Sequence, residues 1–164
     1  MALPGERWTG SVSSIGIPFG TLPASTTSAG TATSGTTETF DAVLGYYQAT
    51  LIYGHQYMAM VTGLVGNGSV VADLFSAQIR DSQSSSNPTS GSVLICSTGW
   101  YVVATGSAGR TGIGLGGPFT CTVGGVHTFG VSATRIVGTG VFTPESALAS
   151  GAARQLFVVD LGGN

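Results

Sequence analysis

No lysine occurs anywhere in this chain of 164 residues, and only 7% of its residues are charged. Ordinary soluble domains carry roughly 25%. The five cations are all arginine, Arg7, Arg80, Arg110, Arg135 and Arg154, and they are scattered. With a formal net charge of −2 and no basic cluster, the chain lacks the cationic face that phosphate binding requires. No nucleic-acid partner is expected. Lysine mostly keeps surface solvated, whereas arginine pairs and packs at interfaces. A chain with arginine alone therefore has little free surface to keep soluble. A coding bias toward Arg, Gly and Ala would give the same composition, so this absence supports other signs and does not stand alone.

Long apolar runs are also missing. Nothing approaches the ~20 residues of a membrane span, so no membrane is expected. Residues 1–8 (Met-Ala-Leu-Pro-Gly-Glu-Arg-Trp) show neither a cationic start nor an apolar stretch of the secretory kind. The expectation is a product kept in a cytoplasm until assembly or lysis. The two cysteines, Cys96 and Cys121, fall on separate predicted strands. In a reducing compartment they are expected to be buried thiols rather than a bridge. No CxxC spacing or neighbouring histidine suggests a metal.

Catalytic signatures are equally scarce. The two histidines, His55 and His127, are far apart and read as a turn residue and a hydrogen-bonded strand residue. There is no GxSxG elbow, HExxH pair or calcium loop. Gly112-Ile113-Gly114-Leu115-Gly116-Gly117 matches GxGxxG formally. A dinucleotide site needs that turn to open a helix. Here Pro118-Phe119-Thr120-Cys121 follows, which reads as a strand, so the glycines are assigned to a β loop. The acids Glu38, Asp41, Asp73, Asp81, Glu145 and Asp160 are dispersed, with no local carboxylate pair of the glycosidase kind. The sequon Asn67-Gly68-Ser69 matters only in a eukaryotic secretory protein. The sequence therefore predicts no enzyme, with no catalytic, cofactor or metal residues.

What is present points to strands. Hydrophobic residues make up 42% of the chain, beside 27 glycines and many Ser and Thr. Disordered chains lack that apolar content. Such a mixture describes short strands joined by many turns. The expected organisation is an extended Gly/Ser/Thr/Pro-rich arm over residues 1–35 and a β domain over 36–164. The arm shows no sustained periodicity, but it holds isolated apolar groups at Trp8, Val12, Ile15, Ile17, Phe19 and Leu22. Strands are expected over 37–44, 46–52, 57–61, 69–81, 93–97, 100–105, 119–123, 127–136, 140–143 and 154–161, about nine in all. An Asn-Gly turn is expected at Gly66-Asn67-Gly68. Only 145–153 could form a turn or two of helix. The predicted fold is all-β: an antiparallel β-sandwich, jelly-roll-like, with an extended N-terminal arm.

Several segments in this order resemble a known family. They are Gly35-Thr36-Thr37-Glu38-Thr39, Gly54-His55-Gln56-Tyr57, Ala77-Gln78-Ile79-Arg80-Asp81, Pro118-Phe119-Thr120, Gly125-Val126-His127-Thr128-Phe129, Ile136-Val137-Gly138-Thr139-Gly140 and Leu156-Phe157-Val158-Val159-Asp160-Leu161-Gly162. Over about residues 30–162 they resemble the β-sandwich virion proteins of actinobacterial (mycobacteriophage-like) tailed phages. That family includes minor tail, head fibre and capsid decoration proteins. The resemblance implies a structural protein of the virion, self-associated as a homotrimer. Strands without lysine gatekeepers agree with edges covered by neighbouring subunits.

The leading expectation is a capsid decoration, or minor capsid, protein. Its arm would lie on the major capsid lattice, with Trp8, Ile15, Ile17, Phe19 and Leu22 as anchors. A second reading is a minor tail or fibre protein that stacks host-surface glycan on Trp100, Tyr101 or Tyr53. A third is a host-derived or secreted β-sandwich binding module without a virion role.

Overall fold

The computed structural model describes residues 24–26, 28–146 and 153–163. Its strands, in chain order, are β1 (Ala24–Thr26), β2 (Thr39–Phe40), β3 (Tyr46–Leu51), β4 (Gln56–Thr62), β5 (Leu64–Gly68) and β6 (Leu74–Asp81). They continue as β7 (Val93–Tyr101), β8 (Thr111–Gly112), β9 (Leu115–Thr120), β10 (Gly125–Val137), β11 (Phe142–Ser146) and β12 (Arg154–Gly162). A single 3-10 turn, Gly106–Gly109, lies between β7 and β8, and the described residues contain no α-helix. The architecture is all-β, as the composition predicts.

Period-two burial explains why these segments are strands. β3 buries Tyr47, Ala49 and Leu51, and β4 buries Tyr57, Ala59 and Val61. β6 buries Phe75, Ala77, Ile79 and Asp81, while β12 buries Arg154, Leu156 and Val158. The intervening residues are half-buried or exposed.

The pairing is nested and antiparallel throughout. β1 pairs with β12, β3 with β10, β4 with β9, and β6 with β7. The first strand thus meets the last, and successive strands pair inward, as in a long two-stranded ribbon rolled up on itself. The two layers that result run β1-β12-β4-β9 and β3-β10-β6-β7. Eight strands wound this way make a jelly roll. The remaining strands lengthen it. Gly63, at φ +68°, bends β4 into β5, and β11 and β8 flank β5. β2 continues the β3 side of β10.

Two aromatic groups fill the space between the layers. Phe75 packs tilted and Trp100 edge-on against Phe142, with ring centroids 5.3 and 5.6 Å from it. Toward the opposite end, Phe119 lies 5.6 Å from Tyr57 and 5.7 Å from Phe129. Each fully buried large apolar side chain contributes roughly 1.5–3 kcal/mol. β10 is buried without interruption from His127 to Ala133 because its outer face is covered too. Thr128 Oγ1 donates to the Ser84 carbonyl at 2.7 Å, and Pro88 packs over Gly130.

Several local expectations are corrected. Gly66-Asn67-Gly68 is not a turn but lies inside β5, paired with Phe142-Thr143-Pro144. The Asn67 side chain donates to Glu145 Oε1 at 2.9 Å, a cross-strand partner that outweighs the local turn preference. The turn falls instead at residues 69–72, ending on Ala72 at φ +70°. The expected strands 93–97 and 100–105 are joined into the single strand β7, which ends at Tyr101, so residues 102–105 lie outside it. Gly116 and Gly117, expected in a loop, sit within β9. Of the expected arm, residues 24–26 and 28–35 lie against the sandwich. β1 pairs with β12, Gly30 N–H donates to the Pro144 carbonyl, and Thr33 bridges to Phe142.

Candidate functional site

The charges of the described residues are engaged internally. Asp41 and Arg154, both buried, form an ion pair that links the end of β2 to the start of β12, and hence one layer to the other. Asp41 Oδ1 also accepts from the N–H groups of Thr31, Val43 and Leu44, and Arg154 Nη2 donates to the Ser28 carbonyl at 3.0 Å. Arg80 pairs with Glu38 at 2.7 Å and reaches the Ser92 carbonyl. Arg110 pairs with Glu145 at 2.6 Å, and His55 with Asp160 at 3.1 Å. Arg135 donates to the Gly140 carbonyl, and Asp73 accepts from Gly140 N–H at 2.5 Å. Isolated surface ion pairs contribute little, but these bridge strands distant in sequence.

The surface left behind is uncharged and partly apolar. Val70, Val71, Tyr101, Val103, Ile136, Val137 and Val141 are exposed where β6 begins and β7 and β10 end. At the other end Ile52, Tyr53, Val123 and Val126 are exposed, with Val93 and Leu94 on the first residues of β7.

Beside Val93 and Leu94 a groove opens between β7 and β9, the two strands that close their layers on this side. Its cavity is about 350 Å³, within the usual range for ligand pockets. Leu94, Ile95, Pro118 and Phe119 make its apolar wall, and Asp81, Cys121 and His127 lie at its base. His127 Nδ1 is 2.7 Å from Asp81 Oδ2, and Nε2 is 2.6 Å from the Val123 carbonyl. The Cys121 thiol donates to that carbonyl at 3.0 Å and lies 3.9 Å from His127 Nε2.

The order Cys, His, Asp resembles a nucleophile with its base and orienting acid. Its hydrogen bonds argue against that chemistry. The two ring nitrogens of His127 are directed at Asp81 and the Val123 carbonyl rather than at the thiol, and the thiol proton goes to that same carbonyl. Burial pushes the Cys121 thiol above its ordinary range, with a smaller contribution from the Asp81 carboxylate, and thus disfavours the reactive thiolate. The cluster ties β6, β9 and β10 together. Cys96 is also raised by burial, and both thiols are free. No group of metal-ligating side chains occurs among the described residues. No helix among them is long and apolar enough to cross a membrane.

Comparisons with known proteins add little. No family model matches the chain, and no curated protein matches it. A search of solved structures returns the insecticidal delta-endotoxin Cry8Ea1 from Bacillus thuringiensis, at 10% identity and a TM-score of 0.35. The match covers 87% of this chain but only 20% of the toxin. So distant a likeness carries no argument about activity.

Of the residues singled out from the sequence, the arm anchors Trp8, Ile15, Ile17, Phe19 and Leu22 lie outside the described residues. The three aromatics suggested for glycan stacking are not brought together. Trp100 is packed in the core against Phe75 and Phe142. Tyr101 (60% exposed) sits opposite Leu74 at one end, while Tyr53 (73% exposed) lies beyond Leu51 at the other. Sequence reasoning did not find the groove, because Asp81 and His127 are 46 positions apart and carry no motif.

Proposed function

We propose that this chain is a structural protein of a phage virion, a capsid decoration protein that coats the outside of the major capsid lattice and self-associates as a homotrimer. It has no catalytic role and needs no cofactor. One observation carries the reading: the described charges are consumed in internal ties, which leaves a surface of Ser, Thr, Gly and exposed apolar side chains. Such a surface suits burial against other protein better than solvation. Motif order in the sequence supplies the particle, and the surface supplies the tendency to associate. A decoration protein stabilises a shell by mass action, because it binds the assembled lattice and not the dissociated subunits. In this reading the arm, with Trp8 foremost, grips the lattice while the jelly roll projects outward.

Quantitative mass spectrometry of purified particles tests this. A copy number in the hundreds supports a shell protein, and a few copies to a few dozen would replace it with the tail or fibre reading. Absence from particles would remove the virion reading altogether. Deletion of residues 2–22, which spares β1, is expected to leave a folded sandwich that no longer attaches.

A further inference from the structure

The sandwich is unfinished on its β7–β9 side. Among the described residues no strand pairs with the outer edge of either β7 or β9. β9 is blunted by Pro118, which cannot donate to a ladder. β7 runs nine residues, Val-Leu-Ile-Cys-Ser-Thr-Gly-Trp-Tyr, without a charge or a proline. Natural edges usually carry one or the other to prevent pairing. One bulge at Ile95, between the pairs Cys96↔Ile79 and Leu94↔Arg80, interrupts its ladder, and the six residues from Cys96 onward stay in register. The apolar-walled groove opens directly beneath this edge.

We propose that residues 15–19 of a second copy add to β7 as an extra strand and lay Ile15, Ile17 and Phe19 into the groove. The inference rests on the self-association proposed above and names the contact that carries it.

The arm lacks periodicity as a whole, but over Ile15-Gly16-Ile17-Pro18-Phe19 apolar side chains fall on every second position. That is the pattern of a strand with one buried face. In one strand direction the N–H groups of Ile15, Ile17 and Phe19 face β7 and position 18 faces solvent. The missing N–H of Pro18 then costs nothing and blunts the new outer edge. No charged residue lies between Arg7 and Glu38, so nothing charged is drawn into the contact. Main-chain hydrogen bonds would give affinity and the groove specificity, as in other strand additions.

Reach decides whose arm it is. The chain enters the sandwich at Ala24, whose register runs through Leu156 and Val61 to Leu115 on β9. From Ala24 to Phe119 is three interstrand steps across and four residues along, about 19 Å. β7 packs directly against β9, with Cys96 beside Gly117, and a strand added to its outer edge lies one interstrand step further on. The five residues from Phe19 to Ala24 span at most about 17 Å. The Phe119 end of each copy's own groove is therefore out of range for its own Phe19, and a neighbour's is not. Passing an arm from each subunit to the next is a head-to-tail contact, which can close into a ring.

Photo-crosslinking of the full chain tests the contact. Phe19 is replaced by a photoreactive benzoylphenylalanine, and unlabelled and ¹⁵N-labelled pools are mixed before irradiation. The expected product joins position 19 of one pool to residues 93–97 or 118–122 of the other. In parallel, Ile17→Asp and Leu94→Asp should each weaken self-association about tenfold or more by sedimentation, with unchanged circular dichroism. Crosslinks confined to one isotope pool, crosslinks outside the groove, undiminished association of both variants, or a wild-type chain that stays monomeric at high micromolar concentration would each overturn the proposal. Particle binding is read separately. Groove-dependent association without particle binding removes the virion reading and leaves this inference standing.

Discussion

On one side of the sandwich the two layers are tied by a buried charge pair; on the other they part around a cavity. Asp41 and Arg154 join β2 to β12 across the layers, and β1 covers part of the β12 edge. Across the molecule, β7 and β9 have no outer partner among the described residues, and Asp81 and His127 face each other at the base of the groove. The first side is finished by its own chain. The second exposes Val93 and Leu94 and an unprotected strand edge, features that cost a free monomer solubility and cost an assembled subunit nothing. Stability should therefore depend on the first side and association on the second.

The largest effect is expected on the closed side. Asp41→Ala leaves the Arg154 guanidinium buried without its counter-ion, and breaking a buried pair this way costs about 3–5 kcal/mol. Denaturant unfolding should show it as a large fall in midpoint, and Arg154→Ala should do the same. If the paired replacement Asp41→Leu with Arg154→Met restores most of the loss, the tie specifies the arrangement of the layers more than it stabilises them. A loss under about 1 kcal/mol for either single change would show that solvent screens the pair.

A smaller effect is expected beneath the groove. Asp81→Asn keeps an acceptor for His127 Nδ1 but removes the negative charge, and it should cost about 1–3 kcal/mol. The open edge should behave oppositely. Ser97→Lys on β7 adds the protection this strand lacks, and a surface change of that kind shifts folding stability within about 0.5 kcal/mol. Its consequence should appear in sedimentation as lost self-association. A Lys variant that assembles as well as wild type would show that β7 is not the contact.

This division was only half legible in the sequence. Strands such as β3, β4 and β12 announce themselves, because Tyr47, Ala49 and Leu51, or Arg154, Leu156 and Val158, alternate with outward residues. Asn67-Gly68 misled because a turn preference is local, whereas its pairing with β11 comes from more than seventy positions away. The sandwich class follows from composition, but the nested order of strands does not, and that order decides which strands become edges. A groove made by β7 and β9 with a base of Asp81 and His127 consequently has no signature along the chain. The arm anchors could be named because Ile15, Ile17 and Phe19 are apolar residues in a polar tract. Their partner surface could not be, since it exists only once the ribbon has rolled up.

The smallest effect concerns pH. Burial raises the thiols of Cys121 and Cys96 above their ordinary value of 9.0, and the Tyr57 phenol above 10.0. A raised value means that the folded state holds the proton more tightly than the unfolded chain does. Their contribution to stability is therefore complete below pH 9 and declines as pH rises past the unfolded values toward the folded ones. Two of the three groups line or border the groove, so the loss belongs to the open side. Urea unfolding at pH 7 and pH 10 should show a lower midpoint at pH 10, and the double variant Cys96→Ala, Cys121→Ala should narrow that gap without closing it, since Tyr57 remains. An identical gap in wild type and double variant would place the alkaline loss elsewhere, and the open side would then differ from the closed one in its edge alone.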